Sequence, residues 1–163
     1  MSIRLAVLAL LVLSGCTPSQ IGAVALAHTN NGIDVVVVAC EGHFDEVVLS
    51  APDDGGDTFA SWRFEEPFDG VRRWNWAAPE LSSAWKLMEP VRPVREASIA
   101  GDQELLLGAW LSNDGGASSP LRFKLRDAQR LRPGWMLVPG SDGAEAKEVT
   151  PGAWARRACE KQK

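Results

Sequence analysis

The chain reads as an all-β domain, an immunoglobulin-like sandwich of about seven strands with one C-terminal helix. Three observations predict it. Short apolar or alternating runs recur between turn signals such as Asn31-Gly32, Asp54-Gly55-Gly56, Asn113-Asp114-Gly115-Gly116 and Pro133-Gly134. The run Ile33–Cys40 is rich in β-branched residues, which suit a pleated, half-buried surface. Residues 150–160 carry a single apolar stripe at helical spacing. A small α+β domain, with residues 78–90 and 127–132 helical, is the alternative.

The N-terminus precedes this domain and has its own logic. One cation, Arg4, stands ahead of an unbroken apolar run from Leu5 to Leu13. That is the build of an export signal, and at about nine apolar residues it is too short to span a bilayer. The run ends in Leu13-Ser14-Gly15-Cys16, which resembles the lipobox of bacterial lipoproteins. The resemblance implies cleavage between Gly15 and Cys16, a diacylglycerol on the Cys16 thiol and acylation of the new amine. Several acyl chains give durable anchoring, since each buried CH₂ adds about 0.8 kcal/mol and one chain alone is marginal. Residues 1–15 are then signal, 16–22 a lipidated tether, and 23–163 a single β-rich domain. The expected location is the extracytoplasmic face of the cell membrane, or the outer membrane where the source has one. The stretch Thr17-Pro18-Ser19-Gln20 is short, so the domain sits against its membrane.

Loss of residues 1–15 removes one base and no acid, so a net charge of −4 becomes −5. A mildly acidic chain without a Lys/Arg block argues against nucleic acid as a partner. Cys40 and Cys159 are the cysteines left once Cys16 is lipidated. An even remainder in an exported chain reads as one disulfide.

The elements follow in order. Ala23–His28 alternates Val24, Leu26 and His28 with three alanines, and Asn31-Gly32 predicts a hairpin turn into Ile33–Cys40. With Asn31-Gly32 as the two-residue loop, Leu26 lies opposite Val37 and Ala27 opposite Val36. One face of this hairpin is an ordinary core face. The other holds Ala23, Ala25 and Ala27 beside Val36, Val38 and Cys40, too apolar for water and too shallow to interdigitate with another sheet. Something flat or cylindrical should cover it.

Asp45–Ser50 and Thr58–Phe64 read as two further strands. Between them, three aspartates around two glycines suit a solvated turn better than a cation site. Residues 65–95 lack a clean period and read as a long loop crowded with aromatics and prolines, with a short helix at Leu81–Met88. Trp62, Trp74, Trp76 and Trp85, with Arg72 and Arg73 between them, form the candidate binding surface, an aromatic platform for a sugar ring or a polypeptide. The competing reading has these rings plugging the open end of the sandwich.

Leu105–Leu111, with Trp110, reads as a buried strand, Leu121–Leu125 as a half-exposed one and Trp135–Val138 as a last short one. Asp127–Arg132 reads as one helical turn. Thr150 offers an N-cap with Pro151 at the first helical position, where the missing N–H costs nothing. Trp154, Ala155, Ala158 and Cys159 then share one helical stripe. This helix supplies the cylinder for the alanine face, and Cys159 on its stripe should reach Cys40 on that face.

No catalytic motif is present: no G-x-S-x-G, H-E-x-x-H, Walker loop or C-x-x-C. Glu41, His43 and Asp45 make a weak metal set, and His28 reads as a hydrogen-bonded rim residue. No cofactor or metal is expected. The layout is also similar to small actinobacterial lipoproteins, with Arg132-Pro133-Gly134 late in the chain and a C-terminal Cys, a resemblance that implies no activity. The leading expectation is a membrane-anchored binding or accessory module that meets an envelope protein or polymer. A carbohydrate-binding module using the Trp-rich segment 62–85 is the second, and a hydrolase without recognisable motif the third.

Overall fold

Thr29 closes the first hairpin. Its hydroxyl donates to the Gly32 carbonyl at 3.0 Å and accepts the Asn31 N–H at 3.2 Å. Asn30 and Asn31 therefore form the corner between β1 (Gln20–Thr29) and β2 (Gly32–Ser50), and Gly32 follows at φ 110°. Thr29 pairs with Gly32, so Leu26 faces Val35 and Ala27 faces Asp34. The register thus differs by two residues from that expected for a turn centred on Asn31-Gly32. An even shift keeps every side chain on its predicted face, so the two-faced character of the hairpin is unchanged. These coordinates come from a computed structural model, which describes residues 20–52, 57–79, 94–112, 116–141 and 145–160.

The fold is all-β with a small C-terminal helix. Its further strands are β3 (Thr58–Asn75), β4 (Glu104–Trp110), β5 (Ala117–Ser119), β6 (Leu121–Lys124), β7 (Met136–Val138) and β8 (Lys147–Val149). All eight belong to one hydrogen-bonded sheet, and the pairing runs in a closed circuit from β1 to β2, β4, β5 and back to β1. β2 makes this circuit possible. Its first half pairs with β1 and its second half with β4, while β3 lies along both halves. The two strands expected at Ile33–Cys40 and Asp45–Ser50 are thus one bent strand.

The bend has a local cause. Pairing of β2 with β3 slips between Ala39 and Phe44 and again between Phe44 and Glu46. Irregularities of this kind turn a strand and increase its twist. At the bend Phe44 is fully buried and crosses beside Gly22. A Cβ on Gly22 would fall 2.1 Å from the Val38 carbonyl oxygen and 2.6 Å from Phe44 Cε2, so only glycine admits this approach.

Both halves of the sheet turn one face to a single core. Val24, Leu26, Val35, Val37, Val47, Leu49, Trp62, Leu105 and Leu107 meet there, capped by Leu125, Ala128 and Leu131 around α1 (Leu125–Arg130). This helix starts two residues earlier than the expected turn at Asp127–Arg132, because β6 runs straight into it. Asp127 sits at its third position and accepts the Lys124 N–H at 3.2 Å. His28 is half-buried, donates from Nδ1 to the Leu131 carbonyl, and its backbone bonds to Gly134 and Trp135, tying the Arg132–Trp135 turn to β1.

A second, smaller apolar cluster lies on the opposite side of the first hairpin. Ala23, Ala25, Ala27, Val36 and Val38 are extended there by Met136 and Val138 of the neighbouring β7 and covered by Trp154. Trp154 belongs to α2 (Pro151–Arg157), which begins after Thr150 with Pro151 at its first position. Cys40 and Cys159 are disulfide-bonded, with Cα atoms 5.4 Å apart. Trp154 of the helix therefore lies on the shallow alanine face as expected, while the helix is shorter than expected and Cys159 reaches Cys40 from the turn just past its end. Trp154 is 8 % exposed, so Trp154→Ala should cost about 3 kcal/mol. A urea melt with an unchanged midpoint would show that the ring contributes little.

Among the described residues no helix is long and apolar enough to cross a membrane.

Candidate binding face

The described tryptophans of the Trp-rich segment, Trp62, Trp74 and Trp76, are core and not surface. β3 continues through Asn75, so residues 65–75 are strand where a loop was expected. Strand alternation carries Trp62, Phe64, Phe68 and Trp74 to the core side, and Trp62, Trp74 and Trp76 are 0 %, 4 % and 1 % exposed. The rings pack edge to face, with Trp62–Trp74 and Phe64–Trp74 centroids both 5.6 Å apart. Trp76 follows the strand and donates from Nε1 to Glu96 at 3.0 Å, while Gln129 of α1 holds the other carboxylate oxygen at 2.9 Å. The described rings of the expected platform are therefore core, Trp62 and Trp74 because they share the inward parity of β3 with Phe64 and Phe68.

The two arginines part company by the same alternation. Arg73 bonds Asp34 at 2.7 Å on the outer side. Arg72, half-buried, stands over the Phe68 ring with its guanidinium carbon 5.5 Å from the centroid. Trp85 lies outside the described residues.

The weak metal set fares similarly. Among the described residues no three His, Cys, Asp or Glu side chains converge on one point. Asp45 is engaged by Ser112, accepting its N–H and its hydroxyl, each at 3.0 Å. His43 and Glu41 are exposed at the bend of β2.

A different aromatic faces solvent. In β4 the core takes Leu105, Leu107 and Ala109, which sends Leu106, Gly108 and Trp110 outward. Trp110 is 37 % exposed, against the expectation of a wholly buried strand. The outward residues of β4 are themselves apolar, so the run hid its own alternation.

The Trp110 indole folds back along its strand. A Cβ on Gly108 would lie 2.8 Å from Cη2, 3.1 Å from Cζ3 and 3.2 Å from Cζ2 of the ring. The six-membered ring therefore lies on the bare backbone of Gly108, one flat side against the sheet. β5 fixes the strand end beneath it. Trp110 pairs with Ala117, Leu111 donates to the Gly116 carbonyl at 3.0 Å, and buried Ser118 Oγ accepts the Ala109 N–H at 2.9 Å.

Polar groups border the ring in register. Glu46 of β2 pairs with Trp110 on one side and with Arg63 of β3 on the other. Its carboxylate accepts Arg63 Nη2 at 3.2 Å to both oxygens, and Ser61 Oγ at 3.4 Å. The next row holds Ser61, Val48 and Gly108. Beyond it, Glu104 is paired to Arg122 at 3.2 Å. Exposed ion pairs of this sort contribute only about 0–1 kcal/mol to stability. What they do is present oriented donors and acceptors beside a flat ring.

This face also lies near the chain's entry into the sheet. Gln20, the first residue of β1, pairs with Ala117, the β5 residue that pairs with Trp110. Ile21 packs against Gly42 and Gly116 at the same end. Comparison with protein-family models, with curated proteins and with solved structures finds no match.

Proposed function

We propose that the protein is a lipid-anchored extracytoplasmic module that binds an envelope protein or polymer beside its own membrane, through the outer sheet face around Trp110. The carrying observation is where the chain enters the sheet. Cys16 stands four residues before Gln20, a reach of about 14 Å at full extension. Gln20 is two strand spacings from Trp110, about 10 Å. A membrane-borne ligand and the ring are thereby kept within one short radius. Tethering of this kind raises the local concentration of anything in the same membrane, so a modest face suffices.

The anchor has a direct test. Cys16→Ala should leave the chain unprocessed or release it in soluble form. A Cys16→Ala protein that stays membrane-bound at its mature size would remove the anchor from this reading.

A further inference from the structure

We propose that Trp110 stacks a pyranose ring of a membrane-rooted glycan, the headgroup of a glycolipid in the bilayer that carries the Cys16 anchor. The inference rests on the tethered-module reading above and narrows its ligand.

The chemistry of the face selects a sugar. A pyranose has an apolar side of C–H bonds and a rim of hydroxyls. Trp110 offers the matching flat, open indole face, held parallel to the sheet by the missing Gly108 side chain. Glu46 on the neighbouring strand, with Arg63 and Ser61 one strand further on and bonded to it, offers oriented acceptors and donors suited to hydroxyls. The core of a protein interface needs a larger dry patch. Here Val48 and Leu106 are already half-buried in the sheet, and Trp110 and Val71 are the large apolar side chains exposed among the described residues. Val71 pairs with Val38, on the helix side of the first hairpin, so it does not extend this patch.

The tether selects the source. With Cys16 no more than about 14 Å from Gln20, the domain cannot carry Trp110 far into the wall. A headgroup rooted in the same leaflet is within reach at all times.

The test uses the mature lipidated protein in phosphatidylcholine vesicles, with or without diglucosyl diacylglycerol, and reads acrylamide quenching of tryptophan emission. The Trp110 share is the difference between wild type and Trp110→Phe. Trp110 should be shielded in the glycolipid vesicles and accessible in phosphatidylcholine alone. Gly108→Ala should lose the shielding while keeping the fold, because its Cβ displaces the flexible ring and leaves Leu107 and Ala109 inside. An apparent affinity lower by about tenfold or more is expected, and an unchanged circular dichroism melt checks the fold. Several results would overturn the proposal. Shielding in phosphatidylcholine alone would mean the ring meets lipid, and equal shielding in both Gly108→Ala and wild type would mean ring posture is irrelevant. Equal shielding by the free disaccharide at the same sugar concentration would remove the membrane-rooted source. The mass of Cys16 is read on the same sample. Absent acyl chains would overturn the anchor and the source together, whereas acylated protein without shielding overturns the sugar alone.

Discussion

Removing the Cys40–Cys159 bond, by reduction or as the Cys40→Ala/Cys159→Ala pair, should destabilise the domain by about 4–5 kcal/mol. The bond joins residues 119 apart in sequence, so its loss frees a very long loop in the unfolded state. The folded state should loosen as well. α2 has seven residues, too few to hold helical structure without tertiary support. Its hold on the sheet is Trp154 against the alanine face, with Ala158 at the edge and the bond itself. A double-mutant cycle separates the two contributions. In the oxidised protein Trp154→Ala is costly, and in the reduced protein it should cost much less, because the helix that carries the ring has already left. Equal costs in both states would show that Trp154 holds the helix unaided.

The alanine face was legible because two periodicities had to agree. Strand alternation placed Cys40 beside Val36 and Val38, helical spacing placed Cys159 near Trp154, and each surface lacked a cover until it met the other. The bend of β2 was not legible. Its cause is a pairing slip around Phe44 and the space left at Gly22, and neither has a signature in a run of valines followed by polar residues. The length of β3 was hidden in another way. Pro67, Asp69 and Gly70 read as punctuation, yet they lie on the exposed stretch of the strand opposite the slip, where irregular pairing tolerates them. With residues 65–75 read as loop, the parity shared by Trp62, Phe64, Phe68 and Trp74 disappears, and core rings look like a surface. The outward side of Trp110 is hidden for the converse reason. Its outward neighbours Leu106 and Gly108 are no more polar than its inward ones.

Trp62→Ala should be the most damaging single substitution on β3, at about 3–5 kcal/mol. The ring is fully buried in the main core, opposite Val47 of β2 and edge-on to Trp74. Its loss opens a cavity between the two halves of the bent sheet and strips an aromatic partner from Trp74, itself worth about 0.5–1.5 kcal/mol beyond burial. Trp62→Phe should behave differently. The Nε1 groups of Trp62 and Trp74 are buried with no hydrogen-bond partner among the described residues, and an unsatisfied buried donor costs about 1–3 kcal/mol. Phenylalanine keeps a ring against Trp74 and removes one of these donors, so part of the lost volume is offset. The expected order in urea denaturation is therefore wild type close to Trp62→Phe, with Trp62→Ala far below. A Trp62→Phe variant as unstable as Trp62→Ala would show that the volume of the indole, and not its unpaired donor, sets the cost at this site.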